Sequence, residues 1–217
     1  MIYSPGRTRA EVEPTRFRDS QRRLGRTGGL DNALLMGVGL AAPAGLNAFI
    51  PLLVVGVADR ISDSVNLGRP YDFLSSTTGI LVVLALLTVE IVVDKIPNAD
   101  HFNDLVQSAV RPAAGAVVMM AAVNEEATVH PLIAMLLGLL IAGTVHWYKA
   151  TQRPAITIET RGVGNPFVSM VEDAIALVTS LLAVVVPLIG MLSIIAGGFL
   201  LRAAYRRARI SLAPRHQ

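Results

Sequence analysis

No cysteine occurs anywhere in the 217 residues, so disulfides, thiolate chemistry and cysteine-ligated metal sites are excluded together. Aromatic side chains make up only 5% of the chain, and only Phe17 and Tyr205 lie among its arginines. That is not how a nucleic-acid surface is built, since stacking platforms accompany basic grooves there. The basic excess, net +3 with a pI near 9.7, is therefore assigned to membrane topology and anionic lipid headgroups. Enzyme signatures are also missing. There is no Gly-x-Ser-x-Gly elbow, no phosphate-cradling glycine loop and no His-Glu-x-x-His helix. The sequence thus predicts no catalytic residue, no cofactor and no resident metal, although two histidines and two carboxylates could be drawn together without diagnostic spacing. The start of the chain does not read as a signal peptide, because its Arg-rich stretch outruns an n-region. Residues 1–30 are expected to be a disordered cytoplasmic tail.

What the chain has in quantity is apolar length. Its composition is 53% apolar and its mean hydropathy is +0.54, which leaves room for one helical bundle and little else. Runs at Leu34–Val57, Thr77–Ile96, Pro112–Val123, Pro131–Tyr148, Pro166–Val186 and Leu188–Leu201 are mostly near the length that crosses hydrocarbon. The expectation is an all-α, polytopic membrane bundle of about six transmembrane helices over residues 31–206, with a basic tail at 207–217. Threaded that way, 17 of the 19 basic residues fall on one side, and only Arg60 and Arg69 on the other. The positive-inside bias then puts both termini in the cytoplasm, with the spans in the inner (plasma) membrane of the cell.

Local signals refine the spans. Pro43 and Pro51 lie inside the first run, where each would free a carbonyl four residues back, those of Gly39 and Asn47. The run reads as a kinked helix or as a broken one lining a site. Pro112, Pro131 and Pro166 are each assigned to the first turn of a helix, with Asn165 as a cap. Between Asp100 and Val110 the apolar positions Phe102, Leu105, Val106, Ala109 and Val110 share one face, which predicts a short helix lying on the cytoplasmic surface. Weak echoes between the halves, Asn47 with His146 and Glu90 with Glu172, are compatible with a 3+3 inverted repeat.

Ionisable residues inside spans are costly unless paired or wet, so they are the functional candidates. Glu90 and Glu172 both fall six residues from a cytoplasmic span end, roughly 9 Å deep at the helical rise. Asp94 follows Glu90 by one turn, and His146 and Lys149 share a face. The expected ligand or ion site comprises Glu90, Asp94, Glu172 and Asp173 with Lys95, His146 and Lys149, and Asn47 deeper in the first run. A structural ion-pair network is the alternative reading of the same residues. For Lys95 and Lys149, snorkelling to the interface is the simpler expectation.

The segments GLNAFIPLL, VEIVVDKIPNADHFND, RPAAGA and NPFVSMVEDAIALVTSLLAV together resemble a bacterial membrane family, domain of unknown function 4126. The resemblance runs from about Gly37 to Leu201 and implies a small multi-pass membrane protein with no assigned activity. On function the leading expectation is a small transporter or channel-like protein for a cation, proton or small solute. A non-catalytic membrane scaffold, with the lipid bilayer and its anionic headgroups as partner, is second. A lipid-headgroup enzyme is third. A homo-oligomer is compatible with all three.

Overall fold

A computed structural model of the protein describes residues 32–62, 65–94, 100–123, 129–161 and 163–187, with the single positions 192, 196, 199 and 202, the side chains of 100–104 excepted. The predicted tails and most of the expected sixth span, Leu188–Leu201, lie outside the described residues. Among those described there are six continuous helices and no strand. They are α1 (Asn32–Ala44), α2 (Phe49–Ile61), α3 (Thr77–Val93), α4 (Asp100–Val123), α5 (Pro131–Thr160) and α6 (Asn165–Val185). A 3-10 turn, Tyr71–Ser75, joins α2 to α3. Three of the helices, α4 from Leu105 onward, α5 and α6, are long and apolar enough to cross a membrane.

The first apolar run is broken, not merely kinked. After Pro43 the backbone turns at Gly45 and Leu46, and Asn47 restarts it by accepting from the amides of Phe49 and Ile50 at 3.1 and 3.2 Å. Asn47 is therefore a helix N-cap. Pro51 falls in the first turn of α2, where its missing N–H costs little. Gly45 lets the break pack against α5, since a Cβ there would run into the carbonyl oxygen of Ala142 and the side chain of Val145.

Two expected boundaries are corrected. No surface helix ends at Pro112: α4 is continuous from Asp100 to Val123 with Pro112 inside it. Its Leu105 and Val106 face outward while Gln107 and Arg111 are buried, so the side that turns inward carries polar groups. The residue before a proline is biased away from helical backbone, and that bias does not prevail at Arg111. Likewise α5 does not stop at Tyr148 but runs through Pro154 to Thr160, 30 residues or about 45 Å. It ends at Arg161, which adopts the left-handed conformation at φ 52°, and the hydroxyl of Thr160 accepts from the amide of Gly164 in the turn. Pro131 and Pro166 do sit in first turns. Asn165 does not cap α6; its amide donates to Thr157 at 2.9 Å and ties α6 back to α5.

Each long helix buries a single stripe. On α5 it is Ala134, Gly138, Ala142, His146, Lys149, Arg153 and Ile156, and on α6 Asn165, Ser169, Glu172, Ala176, Thr179, Ser180 and Ala183. The outer faces are apolar: Leu81, Leu84 and Val89 on α3, Leu136, Leu140 and Trp147 on α5, and Phe167, Val171 and Val178 on α6 are all exposed. This polarity, charge within and hydrocarbon without, is the reverse of a water-soluble core. The α4–α5 pairing is the most extensive in the bundle, because glycines face each other at the crossing. A Cβ on Gly115 would lie 2.6 Å from the carbonyl oxygen of Gly138, and one on Gly138 would strike that of Gly115.

Candidate functional site

Beyond the glycine crossing the buried stripes of α3, α4, α5 and α6 become ionic. The register does this directly. Asp94 follows Glu90 by one turn on α3, Arg111 follows Gln107 by one turn on α4, and His146, Lys149 and Arg153 repeat at three and four on α5. Ser169 and Glu172, three apart, supply α6.

Arg111 is fully buried and sits between three groups. Its guanidinium donates to Glu90 Oε1 through Nη2 at 3.0 Å and Nε at 3.3 Å, reaches Asp94 Oδ2 at 3.4 Å, and places Nη1 3.3 Å from His146 Nδ1. The other ring nitrogen of His146 lies 3.1 Å from the hydroxyl of Ser108. Asp94 is the hub. One oxygen, Oδ2, is within reach of Arg111, of Arg153 at 3.3 Å, of Lys149 at 3.6 Å and of the Ser169 hydroxyl at 3.4 Å. The ammonium of Lys149 then pairs with Glu172 Oε2 at 2.9 Å and donates to the carbonyl of Leu46 at 2.9 Å. That carbonyl belongs to the break between α1 and α2. Beside it, the Asn47 side chain donates to Asp173 Oδ1 at 3.0 Å.

The residues expected to form a site are thus largely brought together: Glu90, Asp94, Glu172, His146 and Lys149 join one polar network through Arg111, and the Asn47–Asp173 pair adjoins it by way of Leu46 and Glu172. Lys95 lies outside the described residues. Lys149 does not snorkel; it is 3% exposed and points inward. The freed carbonyl that matters is that of Leu46 rather than those of Gly39 or Asn47. Arg111, Arg153, Ser108 and Ser169 were not expected there. Arg153 was findable, because it continues the α5 stripe by four residues from Lys149, but only if Pro154 is allowed inside the helix.

Energetically the network is an odd way to hold a bundle. Three nearly buried carboxylates, Glu90, Asp94 and Glu172, face three nearly buried cations, Arg111, Lys149 and Arg153. Desolvating such groups costs several kcal/mol each, and well-packed apolar substitutes often do as well or better. Satisfaction is also incomplete. Among the described residues Glu90 Oε2 and Gln107 Oε1 are buried with no hydrogen-bond partner, which costs about 1–3 kcal/mol per neutral group. At the opposite end of α4 and α5 lies a cleft of about 200 Å³ lined by Tyr71, Met120, Val123 and Pro131. It is apolar and separate from the network.

Described residues that are helical, turn hydrocarbon outward, bury charge and include three helices of spanning length and apolarity define the class of helical membrane proteins. Within that class, residues 34–207 match the family described as domain of unknown function (DUF4126), and the chain belongs to that family. No curated protein and no solved structure matches it.

Proposed function

We propose that the protein is a small transporter of the bacterial inner membrane that moves a cation or a proton through the Asp94–Glu172 region. The observation that carries this reading is the meeting of a helix break with buried carboxylates. The Leu46 carbonyl, released where α1 stops, turns to the same ammonium that Glu172 and Asp94 hold. Interrupted helices whose loose carbonyls meet acidic side chains suit reversible ion binding, since backbone and carboxylate oxygens are ion ligands and the break lets them move. Reconstitution in liposomes against a panel of cation and pH gradients tests it. Flux that is lost in Glu172→Gln, in protein that remains folded and inserted, is the expected result.

A second reading has its own support. Arg111 with Glu90 and Lys149 with Glu172 are paired closely enough to act as a structural lock. In that case Glu172→Gln lowers thermal stability and the wild type shows no flux under any gradient. That outcome would replace the transporter by a scaffold.

The proposed orientation puts the loop before α3 outside and the α5–α6 turn in the cytoplasm. The fold supports opposite placement of these two, because residues 68–71 share a cleft with the start of α5, whereas Arg161 ends that 30-residue helix. With no native cysteine, Asp72→Cys should react with an impermeant reagent in intact cells and Arg161→Cys should not. Labelling of Arg161→Cys from outside would overturn the orientation.

A further inference from the structure

Lysine is rare in this chain. Only Lys95 and Lys149 occur, against 17 arginines. Two of the three cations in the buried network are arginines: Arg111 sets two guanidinium nitrogens on Glu90 Oε1, and Arg153 sets one on Asp94 Oδ2. The third position is different in kind. Lys149 presents a compact point charge, and its nitrogen is held by oxygens arriving from three separate elements: the Leu46 carbonyl from the helix break at 2.9 Å, Glu172 Oε2 from α6 at 2.9 Å and, more loosely, Asp94 Oδ2 from the end of α3 at 3.6 Å.

We infer that the Lys149 ammonium occupies a seat built for a free monovalent cation, so that lysine and the transported ion compete for the same oxygens. The inference rests on the transport reading of this site and names its substrate class.

Three observations converge on it. The oxygen set, one main-chain carbonyl with two carboxylates, is the donor chemistry of hard cations. The 2.9 Å distances are ordinary ammonium–oxygen hydrogen-bond lengths, so the oxygens already stand where a singly charged ion of ammonium size, such as ammonium or potassium, would be held. The charge count agrees. Without Lys149, the carboxylates Glu90, Asp94 and Glu172 face only Arg111 and Arg153, which leaves one positive charge to be supplied. A lysine is also suited to leaving, because its flexible four-carbon stem can withdraw the charge without moving the helix. The carbonyl that completes the seat is at a backbone break, the part of the bundle whose geometry is least fixed by a helical ladder.

The test is thermal unfolding of the purified full chain in detergent, comparing chloride salts of potassium, ammonium, methylammonium and sodium with choline chloride at equal ionic strength. Choline is too bulky for the seat. In Lys149→Ala the small monovalent cations should raise Tm over choline by about 3 °C at ten times their Kd, while in the wild type the shift should be far smaller. Lys149→Gln, which keeps most of the bulk, should gain the same cation dependence, because the missing charge is what opens the seat. Equal Tm in choline and in every small cation for both variants would overturn the proposal. So would failure of both to fold in any of these salts, since a vacant seat with affinity for cations refills at molar concentration. The proton branch of the transport reading is a different outcome: flux driven by pH gradients, without cation stabilisation of either variant, would retain transport and remove the cation seat. Cation-dependent stabilisation without flux would do the reverse.

Discussion

The α4–α5 seam is held by two different kinds of physics within two turns of helix. At one end Gly115 and Gly138 let the backbones touch. One turn away on α4, Arg111 meets His146, Glu90 and Asp94 across a fully desolvated gap. The glycine end owes its strength to contact alone and has no room for a methyl group. The ionic end depends on pairing, in which each charge is tolerable only while its partners stay. A bundle that wanted only stability would extend the first solution along the seam. That it changes to the second at the level of the helix break is why the ionic end is read as the working end.

The contrast predicts that single changes at the ionic end are the most damaging and the most reversible by a second change. Arg111→Met should lower stability by about 3–5 kcal/mol, because Glu90 and Asp94 lose their guanidinium in a buried site. Pairing it with Glu90→Met should recover much of that loss, as apolar residues of similar volume fill the space of the ion pair. Thermal unfolding of the single and double variants in detergent measures both. A double variant no better than Arg111→Met alone would mean that Arg111 acts mainly through Asp94 and His146 and not through Glu90.

At the glycine end the expected loss is smaller and should not be reversible by charge. Gly138→Ala adds a Cβ that strikes the Gly115 backbone and crowds Met119, forcing the helices apart at about 1–3 kcal/mol. Part of this is offset by alanine's better helix propensity, close to 1 kcal/mol. If Gly138→Ala proved as stable as the wild type, the close crossing would not be a fixed feature of the bundle.

The ionic end of this contrast was largely visible in the sequence, whereas the glycine crossing was not, and the gaps have physical causes. Apolar run length located α3, α6 and the first part of α5, and the cost of intramembrane charge picked out Glu90, Asp94, His146, Lys149 and Glu172. Pro43 and Pro51 marked the first run as either kinked or broken, and the fold decides for the break. Within the ionic network, what was not legible lay at helix ends. Pro112 reads as the start of a span and the apolar run after Pro131 as ending at Tyr148, which puts Arg111 and Arg153 in cytoplasmic connections. In the fold both helices continue, through Pro112 and Pro154, and tertiary packing outweighs the local cost. The other gap concerns direction. A lysine near a span end has the same sequence signature whether it reaches out to lipid or in to Glu172, and only the packing of α1, α2 and α6 around it decides.

Asn47→Ser offers the smallest expected effect, and beside Asn47→Ala the most specific test of how the break serves the ionic end. Its side chain has two tasks: Oδ1 accepts from the Phe49 and Ile50 amides and starts α2, while Nδ2 donates to Asp173. Loss of an N-cap costs typically about 1 kcal/mol, and an additional hydrogen bond to a charged acceptor contributes about 1.5–3 kcal/mol where it is well buried. Asp173 is only half-buried, so its share should fall below that range. Asn47→Ala removes both tasks, whereas Asn47→Ser keeps a capping oxygen and gives up the reach to Asp173. If the break is held chiefly as a helix start, the serine variant should unfold within about a degree of the wild type, with alanine several degrees lower. If the tie to Asp173 is what holds the Leu46 carbonyl towards Lys149, serine and alanine should fall together. In that case both should also blunt flux in liposomes, which a simple capping role would leave unchanged.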